Sequence, residues 1–472
     1  MKFNIKKTRK TENLAGGQAF SETAKLEFVS ILLTSFVQDQ FYRSDLETIY
    51  RIRELIDEIN DFEFVGKAAI FARTKFGMRS VTHVVAGELA KSARGLTWTR
   101  DFFDKIVFRP DDMLEIFSYY FLTEKKLTNP LRDGFARALT RFDEYSLAKY
   151  RGEGKKIKLV DVVNLCHPKS TPAIDKLMKG TLKSVDTWES ELTRAGQKAS
   201  SKEDKDTLKA DVWKRLILER KIGYFALLRN LRNIIEQSPD VLPEALALLV
   251  DEKMIKNSLV LPFRFLTAIS EIEKMSGDGV KETLIALAKA IDISLANVPK
   301  LPGKNLIVLD TSKSMSGRPL DIGSLFASAI YKTNDADFMQ FSNEGEYVTL
   351  NPVDSTATIA ARIRSLAEIG GTNFHAIFEI ADKAYDRIII FSDMQGWIGE
   401  DVPTKAFNDY KKRTGADPVV FSFDLQGYGT LQFPEKNVFA LAGFSEKVFD
   451  IMKLLESDRQ ALVHEIEKIE LG

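Results

Sequence analysis

Over much of the first 300 residues apolar side chains recur at intervals of three and four, the spacing that gathers them on one face of a helix. The pattern predicts helices over residues 25–38, 45–60, 64–76, 81–93, 113–122 and 134–147. It predicts more over 208–219, 223–235, 242–250, 263–274 and 281–295. Asn129-Pro130, His167-Pro168, Ser238-Pro239 and Leu261-Pro262 punctuate the series, because proline lacks the amide that a helix interior needs. Residues 195–206, rich in Ser, Lys and Asp, read as a mobile loop. No residue signature repeats cleanly, so the stretch fits either a helical-repeat scaffold or an irregular helical domain.

Residues 297–304 hold two prolines and a glycine, and beyond them the period changes. Short apolar runs at 305–309, 338–341, 347–350, 387–391, 419–423 and 438–441 predict strands. Helical patterns at 321–331, 358–366, 374–384, 404–412 and 446–455 lie between or after them. The alternation predicts an open α/β sheet covered on both faces. The fold class is therefore multidomain α plus α/β: a basic tail over 1–20, a helical domain over 21–299 and a Rossmann-like domain over 303–472.

A chain of 472 residues with 44% hydrophobic content can bury more than one core. Its formal net charge of zero hides two regions of opposite sign. Residues 1–300 carry 50 Lys and Arg against 42 Asp and Glu, and residues 301–472 carry 17 against 25. The first region suits an anionic polymer and the second a cation. Cys166 is the sole cysteine, so an intrachain disulfide is excluded, and with four scattered histidines it forms no zinc spacing. Reducing, cytoplasmic surroundings are expected. No apolar core follows the basic first ten residues as in a secretory signal, and no apolar run of about 20 residues would span a bilayer.

The candidate chemistry lies where the run 305–309 ends. Asp310, Ser312 and Ser314 set a carboxylate and two hydroxyls at alternate positions of a loop that leaves a strand. Thr372, behind Gly370 and Gly371, offers another hydroxyl, and Asp393 supplies a carboxylate from a second strand end. Such hard oxygens suit a divalent cation, most simply Mg²⁺, with positions left for water or an external ligand. Ser and Asp acting as loop caps are the competing reading. Gly303-Lys304 lacks the spacing of a phosphate loop, and neither Ser312 nor Ser314 sits in a glycine-flanked nucleophile elbow. No base, second metal cluster or nucleotide cradle supports an enzyme.

The words Leu309-Asp310-Thr311-Ser312-Lys313-Ser314-Met315, Gly371-Thr372 and Ser392-Asp393 resemble the metal-ion-dependent adhesion site of a von Willebrand factor type A domain. The helical part resembles the TROVE domain of the Ro ribonucleoprotein family. That likeness rests on Ala69-Ile70-Phe71-Ala72-Arg73, Gly77-Met78-Arg79-Ser80, Leu165-Cys166-His167-Pro168, Thr187-Trp188-Glu189 and Leu227-Leu228-Arg229-Asn230-Leu231-Arg232-Asn233, in order. The resemblance implies a ring of HEAT-like helices closed by the type A domain, with residues 13–20 as a candidate ring-closing segment. It implies a noncatalytic scaffold that binds small noncoding Y-like RNA and the single-stranded 3′ ends of structured or misfolded RNAs. Association with an exoribonuclease also belongs to that picture; a membrane or DNA partner does not. The alternative is a metal-dependent protein-interaction module on a helical scaffold.

Residues expected to meet RNA are Arg73, Lys75 and Arg79, then Lys149, Arg151, Lys155, Lys156 and Lys158, whose charges suit phosphate. His167 suits an unstacked base, with a structural role before Pro168 as the competing reading. Arg229, Arg232 and Asn233 form a third group, which equally suits a solvated helix face. Phe71 and Phe76 read as core.

Overall fold

All six residues of Asn305–Asp310 are buried in the computed structural model, as a strand covered on both faces requires. The structure describes residues 10–21, 23–36, 40, 42–93, 95–182, 188–258, 260–296, 298–367, 370–399, 403–432, 438–443, 447–455 and 461–472. Most of the basic tail and Thr187 of the TROVE-like words lie outside these residues.

Among the described residues there are nine strands: β1 (Lys10–Glu12), β2 (Gln18–Ser21), β3 (Asn305–Asp310), β4 (Ala336–Phe341), β5 (Gly345–Tyr347), β6 (Arg387–Ser392), β7 (Val419–Asp424), β8 (Thr430–Leu431) and β9 (Val438–Ala442). Six of them form a sheet in the order β5-β4-β3-β6-β7-β9. All neighbours are parallel except β5, an antiparallel edge on β4. From β3 the chain builds outward to β4 on one side and to β6 on the other. The carboxyl ends of β3 and β6 therefore flank the switch point, where open α/β sheets leave a crevice for ligands.

Alternate residues serve the two faces of this sheet. Leu306, Val308, Ile388 and Ile390 join Phe374, Ile377, Phe378, Phe407 and Tyr410 of the helices Phe374–Ile380 and Thr404–Thr414 in one core. On the other face the helix Arg318–Thr333 lies so close that a Cβ on Gly323 would fall 2.6 Å from Leu309 Cδ1, so glycine is needed there.

By its contacts the chain packs as two units. One comprises residues 1–35, 39–44 and 209–462: the large sheet with its helices, the helices Tyr224–Gln237, Leu242–Leu249, Glu252–Ser258, Phe263–Ile272 and Val280–Ser294, and a three-stranded sheet ordered β1-β2-β8. The other comprises residues 36–38, 45–208 and 463–472 and is helical. The change from helical to α/β structure falls after Ser294, as the sequence predicts, whereas the contact units divide near residue 209.

Several expectations are corrected. The stretch 195–206 is no loop: the helices Trp188–Lys198 and Lys202–Leu218 leave three residues between them. Residues 134–147 break into Asn129–Leu139 and Glu144–Lys149, because Asp143 caps the second helix by accepting from Ser146 N. The strand expected at 347–350 is β5, ending at Tyr347. Among the described residues, no helix is long and apolar enough to cross a membrane.

Candidate functional site

Asp310 closes β3 and is held from both sides. Its Oδ1 accepts Ser312 N at 2.8 Å and its Oδ2 accepts Ser392 Oγ, from the end of β6, at 2.5 Å. A single turn of 3-10 helix, Lys313–Met315, folds the chain back so that Ser312 Oγ and Ser314 Oγ stand 3.3 Å apart. Lys313 N donates to Gly370 O at 3.1 Å, which draws in the loop carrying Thr372. The Thr372 carbonyl in turn accepts Trp397 N and Ile398 N from the loop that follows Asp393. Gly371 makes the approach possible, since a Cβ there would lie 2.6 Å from the Trp397 ring. All five sequence-predicted residues thus fall on three interlocked loops, and each is at most 3% exposed.

The electrostatics of this site are unfavourable in the bare protein. Burial, and then the charge of Asp310, drive the Asp393 carboxyl far above the ordinary range, while burial raises Asp310 against hydrogen bonds from Ser312 and Ser392. Asp393 Oδ1 accepts Gln395 N at 3.1 Å, but its buried Oδ2 has no hydrogen-bond partner. Asp424, at the end of β7, is pushed up to about 6 by burial and also leaves Oδ2 unpartnered. A hard dication would answer both the crowding of charge and the orphaned oxygen. Among the described residues no three His, Cys, Asp or Glu side chains converge as a metal cluster. The hydroxyls of Ser312, Ser314 and Thr372 would therefore have to complete the donor set, and their chemistry fits Mg²⁺.

Sequence reading missed three residues of this site. Ser392 fixes Asp310, and its neighbour Asp393 was the signal. Asp424 adds a carboxylate at the next strand end. Tyr42 comes from the far end of the chain: its hydroxyl meets Ser314, and its ionisation is opposed by burial and by Asp393 and Asp310.

The residues expected to meet RNA divide sharply. In the helical unit Arg73 is mostly buried, ion-paired to Asp112 at 3.2 Å and stacked over Phe108. Arg79 bridges Asp111 at 2.6 Å and Asp112 at 2.9 Å. Asp112 also accepts His83 Nε2, Phe108 N and Arg109 N, and these partners hold its carboxyl well below the usual range. Arg73 and Arg79 are thus occupied by carboxylates, while Lys75 is exposed.

Lys149, Arg151 and Lys155 line one cavity of about 440 Å³ together with Asp111, Tyr150 and Ser190. Lys149 sits over the rings of Tyr145 and Tyr150, and Arg109 over Tyr150 from 5.0 Å. Arg151 donates to the Leu182 carbonyl, and Lys155 pairs with Glu115. Lys156 and Lys158 are exposed, the latter at the start of the helix Leu159–Cys166. His167 ends that helix, exposed and in the left-handed region at φ 51°. In the other unit Arg229 is exposed over Phe225, Arg232 lies 4.0 Å from Glu236, and Asn233 donates to Asn230 Oδ1.

Comparisons with known proteins identify a family and a shared fold. The family described as TROVE domain matches residues 30–207 and 175–315. Telomerase protein component 1 of Mus musculus is 25% identical over 304 residues, 45% of this chain and 11% of that protein. Its counterpart in Rattus norvegicus is 23% identical over 305 residues, again 45% and 11%. The matched region thus amounts to about a tenth of the length of these curated relatives. Among solved structures, the Ro (RSR) protein of Deinococcus radiodurans shares the fold with a TM-score of 0.57 at 18% identity, over 90% of this chain and 99% of that one.

Proposed function

The chain belongs to the TROVE-domain, or Ro, family, and from that premise we propose that it is a noncatalytic scaffold that binds RNA. The TROVE match across residues 30–315 is the observation that carries this reading. Its RNAs are small Y-like noncoding RNA and the single-stranded 3′ ends of structured or misfolded transcripts, and its role is RNA quality control or processing, with an exoribonuclease as a partner. Phosphates are met by Lys75, Lys149, Arg151, Lys155, Lys156 and Lys158, and a base by His167. The exposure of all of these side chains but the half-buried Arg151, and the cavity that Arg151 shares with Lys149 and Lys155, support that assignment. In this reading Arg73 and Arg79 act through Asp112, by keeping the helices beneath the surface in place.

The sheet order and the donor set at Asp310 support a type A domain whose cation is architectural or binding, and the ring of HEAT-like helices remains part of the same proposal. Asp310, Asp393, Ser312, Ser314 and Thr372 would hold Mg²⁺. When bound, the cation supplies positive charge between buried carboxylates and an open position for an acidic ligand. Asp393 Oδ2, buried and without a partner, favours the cation, and a cation with an open position supports a second use of this unit: capture of an acidic residue on a partner protein.

A salt titration of the full chain against a hairpin RNA with a single-stranded 3′ end and a blunt hairpin tests the scaffold. Affinity should fall as salt rises, because phosphate contacts release counterions. Folded protein that binds neither RNA at low salt would overturn the reading, as would RNA decay by the purified chain alone.

A further inference from the structure

Three helices remote in sequence bring arginines and phenylalanines into one alternating row. The Arg229 guanidinium lies over the Phe225 ring at 5.6 Å, and Arg264 approaches the same ring at 6.0 Å. Arg264 also covers Phe263 at 4.9 Å, and Arg318 covers Phe263 at 5.4 Å. Each ring thus has two guanidinium groups near it. Phe225 is 42% exposed and Phe263 is buried, so the row runs from an open end at Arg229 and Phe225 toward a covered one at Arg318.

Like charges at this spacing repel. The charge of Arg229 weighs against the protonated form of Arg264, and that of Arg264 against Arg318, in each case behind the larger effect of burial. Among the described residues no carboxylate lies within ion-pair distance of Arg229 or Arg264, and Asp321, which favours the Arg318 charge, stands 3.6 Å from Arg364 as well. A guanidinium that rests its plane on a ring keeps its N–H edge for an anion, and that edge matches a phosphate with two parallel hydrogen bonds. An exposed ring edged by cations is also a stacking platform for an unpaired base.

We infer that this row is a binding track for a single-stranded RNA segment, with phosphates on Arg229 and Arg264, a base stacked on Phe225, and Arg318 continuing the positive path. The inference rests on the RNA-scaffold reading and deepens it. It gives the helical half of the sheet-bearing unit its own contact with unpaired RNA, separate from the lysine-lined cavity of the other unit. The donors are planar and always charged, so recognition is of backbone and stacked base, with little sequence preference.

The test is fluorescence anisotropy of the full chain with a labelled oligouridylate of about 10 nucleotides, alongside a blunt hairpin RNA. Arg229→Glu and Phe225→Ala alter exposed positions that the fold tolerates; Arg264→Lys keeps the charge and removes the planar, forked donor edge. Thermal melting confirms folding of each variant. Arg229→Glu and Arg264→Lys should each weaken the oligouridylate about tenfold, and Arg229→Glu should lower the log–log salt slope by about 0.7 or more. Phe225→Ala should weaken it about 5- to 100-fold with the slope unchanged. Hairpin affinity should stay as in the wild type throughout. Oligouridylate affinities equal to the wild type in all three folded variants would overturn the track and leave the scaffold reading standing. A wild-type chain that binds neither RNA would overturn both.

Discussion

Ser392 Oγ donates to Asp310 Oδ2 across 2.5 Å, joining the carboxyl ends of β3 and β6 at the switch point of the sheet. The carboxylate is therefore aimed before any ligand arrives, and its cost is carried by the fold: Asp310 and Asp393 are both fully buried, and Asp393 lacks a partner for Oδ2.

Magnesium should accordingly stabilise the protein. At a hundredfold excess over its dissociation constant, one bound ion adds about 2.7 kcal/mol, seen as a rise in melting temperature that a chelator reverses. Asp310→Ala should abolish the response. Asp393→Asn should raise the melting temperature of the metal-free chain, because it removes a carboxyl whose ionisation burial and Asp310 oppose in the folded state. A magnesium response retained in Asp310→Ala would exclude this site.

Asp112 is the clamp of the helical unit, satisfied by Arg73, Arg79, His83 and two backbone amides. Asp112→Ala leaves buried cations uncompensated and should cost about 3–5 kcal/mol in urea unfolding. A loss below about 1 kcal/mol would mean that water reaches the cluster freely.

The same cluster sets an acid limit. Burial lowers the His83 pKa below its ordinary 6.5, so the unfolded chain takes up that proton first and stability declines as pH falls from about 6.5. Asp112, held far below its ordinary 3.8, adds stability that is present above that value and lost on further acidification. The upper part should approach a slope of about 1.4 kcal/mol per pH unit, and His83→Gln should remove it. Equal pH profiles for variant and wild type between pH 7 and 5 would refute the assignment.

Lysines of the cavity should behave differently from the arginines beneath it. Lys149→Ala should weaken every structured RNA alike and reduce the salt slope by about 1. Lys155→Ala should do less, since Glu115 already offsets its charge. Arg73→Ala should lower stability and leave the salt slope of the folded fraction unchanged. A lowered slope there would reassign Arg73 to phosphate contact.

How much of this was legible follows from the reach of each signal. The five oxygen donors were readable because Asp310, Ser312 and Ser314 lie on one strand end and its turn, and the sheet pattern predicts where Thr372 and Asp393 return. Asp112 was invisible: its partners Arg73, His83 and Arg79 are 29 to 39 residues away, on other helices. Only the start of the helix Lys202–Leu218, up to residue 206, reads as loop, because it is polar and the apolar periodicity begins at Leu208. Its capping signal was there, however: Ser201 Oγ accepts Asp204 N, three residues on. The strands β1 and β2, with three and four residues, are too short for an alternation to register.

Those short strands have a consequence for how the protein is made. Asn13 donates to Gly396 O and Leu14 N to Gln395 Oε1, partners that lie 383 and 381 residues further along the chain. Gly17 has room there only because it lacks a Cβ, which would collide with the Gly396 carbonyl. At about 5–20 residues per second on the ribosome, the hairpin emerges roughly 20–80 seconds before its docking loop exists. Residues 10–21, and Tyr42 with its partner Tyr428, are thus joined late, and the hairpin waits for a segment made several hundred residues after it to complete the surroundings of Asp393.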